Sequence, residues 1–164
     1  MQTTFRKSFY GGLAAAAAVG LYLLWLWQPE RQVRLHNEHL LRAVEQKDWS
    51  DLAAFVDASY QDQWGNDRSL LLARLRQILS YAPRLKINTI GAGVSRLEGR
   101  EAEWSGRVTL EADENELTSM MKARVNALDT PFVLHWRQIS GQPWDWKLTR
   151  VSNEALELPE APAL

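Results

Sequence analysis

Two side chains in this 164-residue chain have the types and spacing for proton transfer, Tyr60 and Asp62. They fall in the alternating run Tyr60-Gln61-Asp62-Gln63-Trp64, so on a strand both share a face with Trp64. A carboxylate beside a phenol inside an apolar cavity has its pKa raised and can act as a general base. The same pattern also reads as structure, with Asp62 bonded to a nearby backbone amide and Tyr60 and Trp64 in the core. His36 and His39 lie three apart on a helical face and could share a metal. Nothing beside them completes such a site, and His36-Asn37-Glu38-His39 lacks the spacing of a helical zinc-protease motif. They read as two solvated histidines. His135 stands alone on a strand. Gly91-Ala92-Gly93 has no helix after it to cradle a phosphate, and no serine sits in a nucleophile elbow. Arg68, Arg74, Arg76 and Arg84 spread over a helix and its exit as a solvated face. No cofactor and no metal are expected.

Composition narrows the classes further. Apolar residues make up 46% and charged residues 24%, which suits a folded core rather than a disordered chain. The net charge of −1 gives no basic footprint for nucleic acid. The absence of cysteine removes disulfides, thiolate metal sites and thiol nucleophiles. Eight tryptophans remain to be placed.

Two of them mark a membrane boundary. No acidic residue precedes Glu30, and Phe9 to Trp27 is free of charge. At about 1.5 Å per residue this run spans roughly a bilayer core. Phe9 and Tyr10 sit at one edge and Trp25 and Trp27 at the other, where amphipathic rings favour the interface. Pro29 stops the helix. A cleaved signal peptide is the rival reading, but the most apolar part, 21–27, follows the alanine run 14–18 and leads into Gln28-Pro29-Glu30, a poor cleavage signal. The expectation is a tail over 1–8 and an anchor over 9–28, with lipid as its partner. Arg6 and Lys7 are nearly balanced by Arg31 and Arg34, so the positive-inside bias is weak. A short tail before a long domain places that domain outside the cytoplasm, in the periplasm for an envelope protein.

The remaining chain must position whatever site exists. Helical periodicity runs from Arg31 to about Lys47, then again from Ser50 as a candidate cap through Val56. Asn66 or Asp67 caps a third helix over 68–81, ended by Pro83. Beyond it the period changes to two. Strands are expected over 85–97, 101–112, 132–139 and 144–152, with a helix or a loop after Asp113. The acidic, proline-containing stretch 154–164 reads as a disordered tail. Helices followed by antiparallel strands give an α+β domain over 31–153.

The segment YQDQWGNDRSLLLARLRQIL and the terminal hairpin FVLHWRQISGQPWDWKLTRVSN carry a resemblance. In this order and pattern the chain resembles the NTF2-like (SnoaL-like, cystatin-like) superfamily. That resemblance implies a curved sheet wrapped around helices to form a cone. It does not imply one activity. Some members are isomerases, dehydratases or cyclases, and some membrane-anchored ones are assembly modules. Cones of this kind often dimerise through the outer sheet face, which implies a homodimer or a membrane-protein partner here.

Register at the terminal hairpin decides what the cone would hold. An odd loop of three or five residues around 140–143 sets Trp136 against Trp146 and gathers the apolar side chains on one face. Burying large aromatics is worth several kcal/mol, so that register is expected. The lining is then Tyr60, Trp64, Trp104, Val108, Leu110, Phe132, Leu134, Trp136, Trp146 and Leu148. Arg107, His135, Arg137, Asp145 and Lys147 point outward as candidate interface residues. Such a wall lacks proton-transfer groups, which favours a binding or assembly module. The alternative is an isomerase, dehydratase or cyclase using Asp62 and Tyr60.

Overall fold

The structure is a computed structural model that describes residues 2–157, with side chains from residue 12 onward. The N-terminal helix, α1 (Gln2–Leu26), is followed at once by α2 (Pro29–Gln46), with Pro29 in its first turn. Proline there forfeits no helical hydrogen bond and brings a preset φ, so it starts α2 as well as ending α1. The two helices bend by 69° at the break. Among the described residues, no single helix is long and apolar enough to cross a membrane. Gly12–Leu26 and Pro29–Gln46 meet that test only as a bent pair. The side chains of α1 are largely uncovered, with Leu21 68% exposed and Leu24 65% exposed.

Two short helices complete the N-terminal half, α3 (Trp49–Phe55) and α4 (Arg68–Ser80). Asp48, not Ser50, caps α3 by accepting the Asp51 N–H, and Asp67 caps α4 by accepting that of Leu70. A four-stranded antiparallel meander follows, in the order β1 (Leu85–Glu98), β2 (Glu101–Ala112), β3 (Phe132–Gln138), β4 (Trp146–Ser152). Between β2 and β3 lies α5 (Glu116–Asn126), a helix rather than a loop. Its cap is Asn115, which forms a reciprocal capping box with the buried Thr118. The far half of β2 has no strand on its β3 side. There the Asn126 side chain bonds both the N–H and the C=O of Leu110, doing the work of a neighbouring strand.

At the hairpin, the apolar set does gather on one face, but the pairing differs from the expected one. Trp136 opposes Leu148 and Trp146 opposes Gln138, with residues 139–145 forming a longer, still odd loop. A register shift beyond Trp136 then places Leu134 opposite Val151. This bulge lets Leu148 and Val151, three residues apart, both turn inward. The short strand expected at 60–64 is an irregular ribbon instead. It runs parallel to β4, and the N–H groups of Asp57, Gln61 and Gln63 donate to the carbonyls of Leu148, Thr149 and Val151.

The core lies between α2, α3 and the inner sheet face. Trp136 and Trp146 are each 1% exposed, and Trp104 is buried beside them. Each central indole has its N–H satisfied. Trp136 donates to the buried Asn37 side chain and Trp146 to the Pro143 carbonyl. Gly106 permits close approach of β1. A Cβ there would stand 2.7 Å from that of Ala92 and 2.9 Å from the Trp104 ring. Val108 and Leu110 leave this layer. They are half-buried on the part of β2 beyond β3, outside the cluster of the core tryptophans.

Residues just past β4 bond back to the domain. Asn153, buried, accepts the N–H groups of Ala155 and Leu156 and donates to the carbonyls of Thr130 and Pro131. Residues 158–164 lie outside the described residues.

Candidate functional site

A cavity of about 280 Å³ opens between α2, α4 and the inner face of β3 and β4. Its walls are leucines and valines from both helices, among them Leu40, Val44, Leu72 and Leu75, with Phe132, Leu148 and Val151 from the sheet. Tyr60, Asp62, Trp64 and Asn66 form one polar corner, and Arg74 approaches it from α4. Of the expected cone lining, Tyr60, Trp64, Phe132 and Leu148 border this space. Trp104, Leu134, Trp136 and Trp146 fill the other end of the cone as solid core.

The corner is built by a turn. Gly65 takes a left-handed φ of +78°, which folds Asn66 back toward Asp62. One Asp62 oxygen accepts the N–H groups of Trp64 (2.9 Å) and Asn66 (2.8 Å). The other accepts the Asn66 side-chain amide at 2.7 Å and the Tyr60 hydroxyl at 3.4 Å. A carboxylate offers about four acceptor directions, and all four are taken. Burial first, and then the Asp62 charge, push the Tyr60 phenol far above the ordinary tyrosine range. Tyr60 therefore stays protonated and donates inward. Arg74 donates to the Asn66 side-chain amide oxygen at 2.5 Å and, among the described residues, has no carboxylate within ion-pair distance.

Two contributors escaped the sequence reading. Arg74 is not on a solvated face but half-buried against the corner. Arg68 likewise reaches the Ala53 carbonyl and Arg76 lies over the Trp49 ring at 5.1 Å, while Arg84 stays exposed, 3.2 Å from Asp113. Leu156, assigned to the tail, lines the cavity. Its carbonyl accepts the Trp64 indole N–H at 2.8 Å, and Gln63 bonds both the N–H and the C=O of Asn153. Only the asparagine at the strand end signals such a return in the sequence.

The outward residues are partly committed elsewhere. Arg137 reaches Asp57 at 3.3 Å and Ser59 at 3.0 Å, and Lys147 donates to the Ala54 carbonyl. Burial alone would raise Asp57, but two hydrogen bonds from Ser59 and the Arg137 charge outweigh it and hold its carboxyl below the ordinary range. Asp145 stands 4.0 Å from Lys147, Arg107 pairs with Asp129, and His135 lies 3.5 Å from Glu103. His135 and Arg137 border a charged groove of about 250 Å³ with Arg96, Glu98 and Arg150.

His36 is half-buried rather than free in solvent. Its ring meets Phe55 and Trp136 edge-on at 5.7 and 5.8 Å, with Nδ1 2.8 Å from the Gln32 carbonyl. Burial holds its pKa below the ordinary value of 6.5, despite the Gln32 and Trp144 carbonyls that favour its protonation. His39 is exposed.

No protein-family profile matches the chain, and no curated protein matches it by sequence. Solved structures do match its fold. An NTF2-like protein of unknown function from Pseudomonas putida aligns over 80% of this chain and 89% of its own, at 14% identity and a TM-score of 0.58. A candidate dehydratase of the NTF2-like family from Streptomyces avermitilis aligns over 74% and 91%, at 17% identity and a TM-score of 0.54. Bd1075 of Bdellovibrio bacteriovorus aligns over 75% of this chain at 13% identity and a TM-score of 0.58, and the chain spans 39% of that protein. Among the described residues, the domain thus has the α+β fold of these NTF2-like structures, with helices α2 to α5 and a four-stranded antiparallel sheet. The fold hosts proteins described with different activities, so the function must be argued from the cavity and its corner.

Proposed function

We propose that this chain is a membrane-anchored, non-catalytic binding module whose cone takes an apolar small molecule. The observation that carries the reading is the cavity between α2 and α4. Its walls are aliphatic, and the carboxylate at its edge has every acceptor direction filled by the turn that surrounds it. A general base needs a free lone pair within reach of substrate. The uncovered apolar side chains of α1 support the anchor over 9–28, because water does not favour so large an exposed apolar surface. The outer face is the proposed surface for a second copy or an envelope protein, and among the described residues only Lys147 of its candidates bonds a helix, through the Ala54 carbonyl.

One observation favours a second reading. Asp62 and Tyr60 both border the cavity, as an isomerase, dehydratase or cyclase of this fold would require. Direct titration separates the two. The full chain in lipid nanodiscs is titrated calorimetrically with naphthalene, against empty nanodiscs as blank. Saturable one-to-one binding is expected, and Leu72→Trp, which fills the cavity, is expected to weaken it more than about tenfold. Equal heats for the parent chain and the variant would sink the binding reading and leave Asp62 as the candidate base.

A further inference from the structure

The loop joining β3 to β4 carries an uncovered tryptophan at the point where the chain leaves α1. Trp144 is 50% exposed, and its ring stacks tilted on Trp27, with centroids 6.1 Å apart. Ile139, on the same loop, is 44% exposed. The loop is stiff. The Ile139 N–H donates to the Asp145 carbonyl, the Asp145 N–H to that of Gln142, and the Gln138 side chain also to that of Gln142. A stiff loop presents Trp144 without a large ordering cost. Cations stand at the same end. Arg31 lies 3.2 Å over the Trp25 ring, and with Arg34 it borders a cavity of about 500 Å³ beside the β1 bulge, where one carboxylate, Glu30, also stands.

Indole rings favour the headgroup level of a bilayer, and guanidinium groups suit its phosphates. We propose that Trp144 and Ile139 form a second membrane contact, seated in the headgroup layer of the leaflet from which α1 emerges. This rests on the reading of α1 as a membrane segment. The contact with Trp27 carries the argument, because it fixes Trp144 at the depth where the anchor ends. The domain then lies against the bilayer with its terminal hairpin down, rather than swinging on a tether.

The absence of cysteine makes the test direct. Single cysteines are introduced by Trp144→Cys, Ile139→Cys, Tyr22→Cys and Glu111→Cys, the last at the far end of β2. Each is labelled with an environment-sensitive nitrobenzoxadiazole dye. The full chain is reconstituted into phosphatidylcholine–phosphatidylglycerol vesicles containing spin-labelled lipid. Loss of emission is expected at 22, 139 and 144, and none at 111. Quenching at 22 with neither 139 nor 144 above the level at 111 overturns the second contact and leaves the anchor. Quenching at 139 and 144 but not at 22 supports the contact and removes the spanning helix. Quenching at none of them overturns both. Ile139→Cys guards against a loop disturbed by loss of the indole.

Discussion

Asp62 has the position of a catalyst and the bonding of a scaffold. Its two oxygens hold the 60–66 turn together, so its removal orphans two backbone N–H groups and an amide in a buried corner. Asp62→Ala is expected to destabilise the domain by about 3 kcal/mol, read from urea unfolding followed by tryptophan fluorescence. A change below about 0.5 kcal/mol would show that the carboxylate is not holding the turn. His36 gives a residue-scale prediction in pH. Its folded pKa lies below the ordinary 6.5, so the unfolded chain takes up protons first as pH falls through that value. Its contribution to stability is full above 6.5 and declines below it. Thermal melts should therefore show the parent chain losing stability on acidification more steeply than His36→Gln, and parallel slopes would refute this. The alternation in YQDQW was enough to put Tyr60 and Asp62 at one wall. It was silent on the saturation of Asp62, which depends on a left-handed Gly65 and an asparagine four residues on.

Among the elements, the sheet was the more legible part. Period-two alternation located all four strands, and the burial of Trp136 and Trp146 set the parity of the hairpin. Parity did not give the partner, because the longer loop over 139–145 moves Trp136 from Trp146 to Leu148. The bulge has no marker in residue type at Thr149. Val108 and Leu110 followed the strand pattern faithfully, yet β3 is too short to carry that face onward, and the Asn126 side chain takes its place. Gly106 tests the approach of β1 to β2. Gly106→Ala places a methyl 2.7 Å from Ala92, so the strands must part, at an expected cost of about 2 kcal/mol in unfolding free energy. A neutral result would mean that the β1 bulge relaxes freely.

At the scale of the molecule, the tryptophans divide the cone into two halves. Trp104, Trp136 and Trp146 make one end solid, while leucines from α2 and α4 leave the other hollow. The naphthalene titration tests the hollow half and the dye quenching tests how the whole domain sits, so the two can fail separately. Architecture was readable from the order of helices and strands. The location of the hollow was not, because it depends on where Leu156 returns and how far α4 stands from the sheet.

The ribbon alongside β4 also sets an order of events. The wall at Tyr60–Trp64 is held by carbonyls of Thr149 and Val151 and by Asn153, about 90 positions later in the chain. Closing so long a loop is slow, and it awaits the last strand. On a ribosome, α2 and α3 emerge early with their apolar faces unpaired, and the cavity takes shape only when the final hairpin arrives. The site is therefore the last part of the domain to exist, and a nascent chain stalled before β4 would hold every helix of the pocket and no pocket.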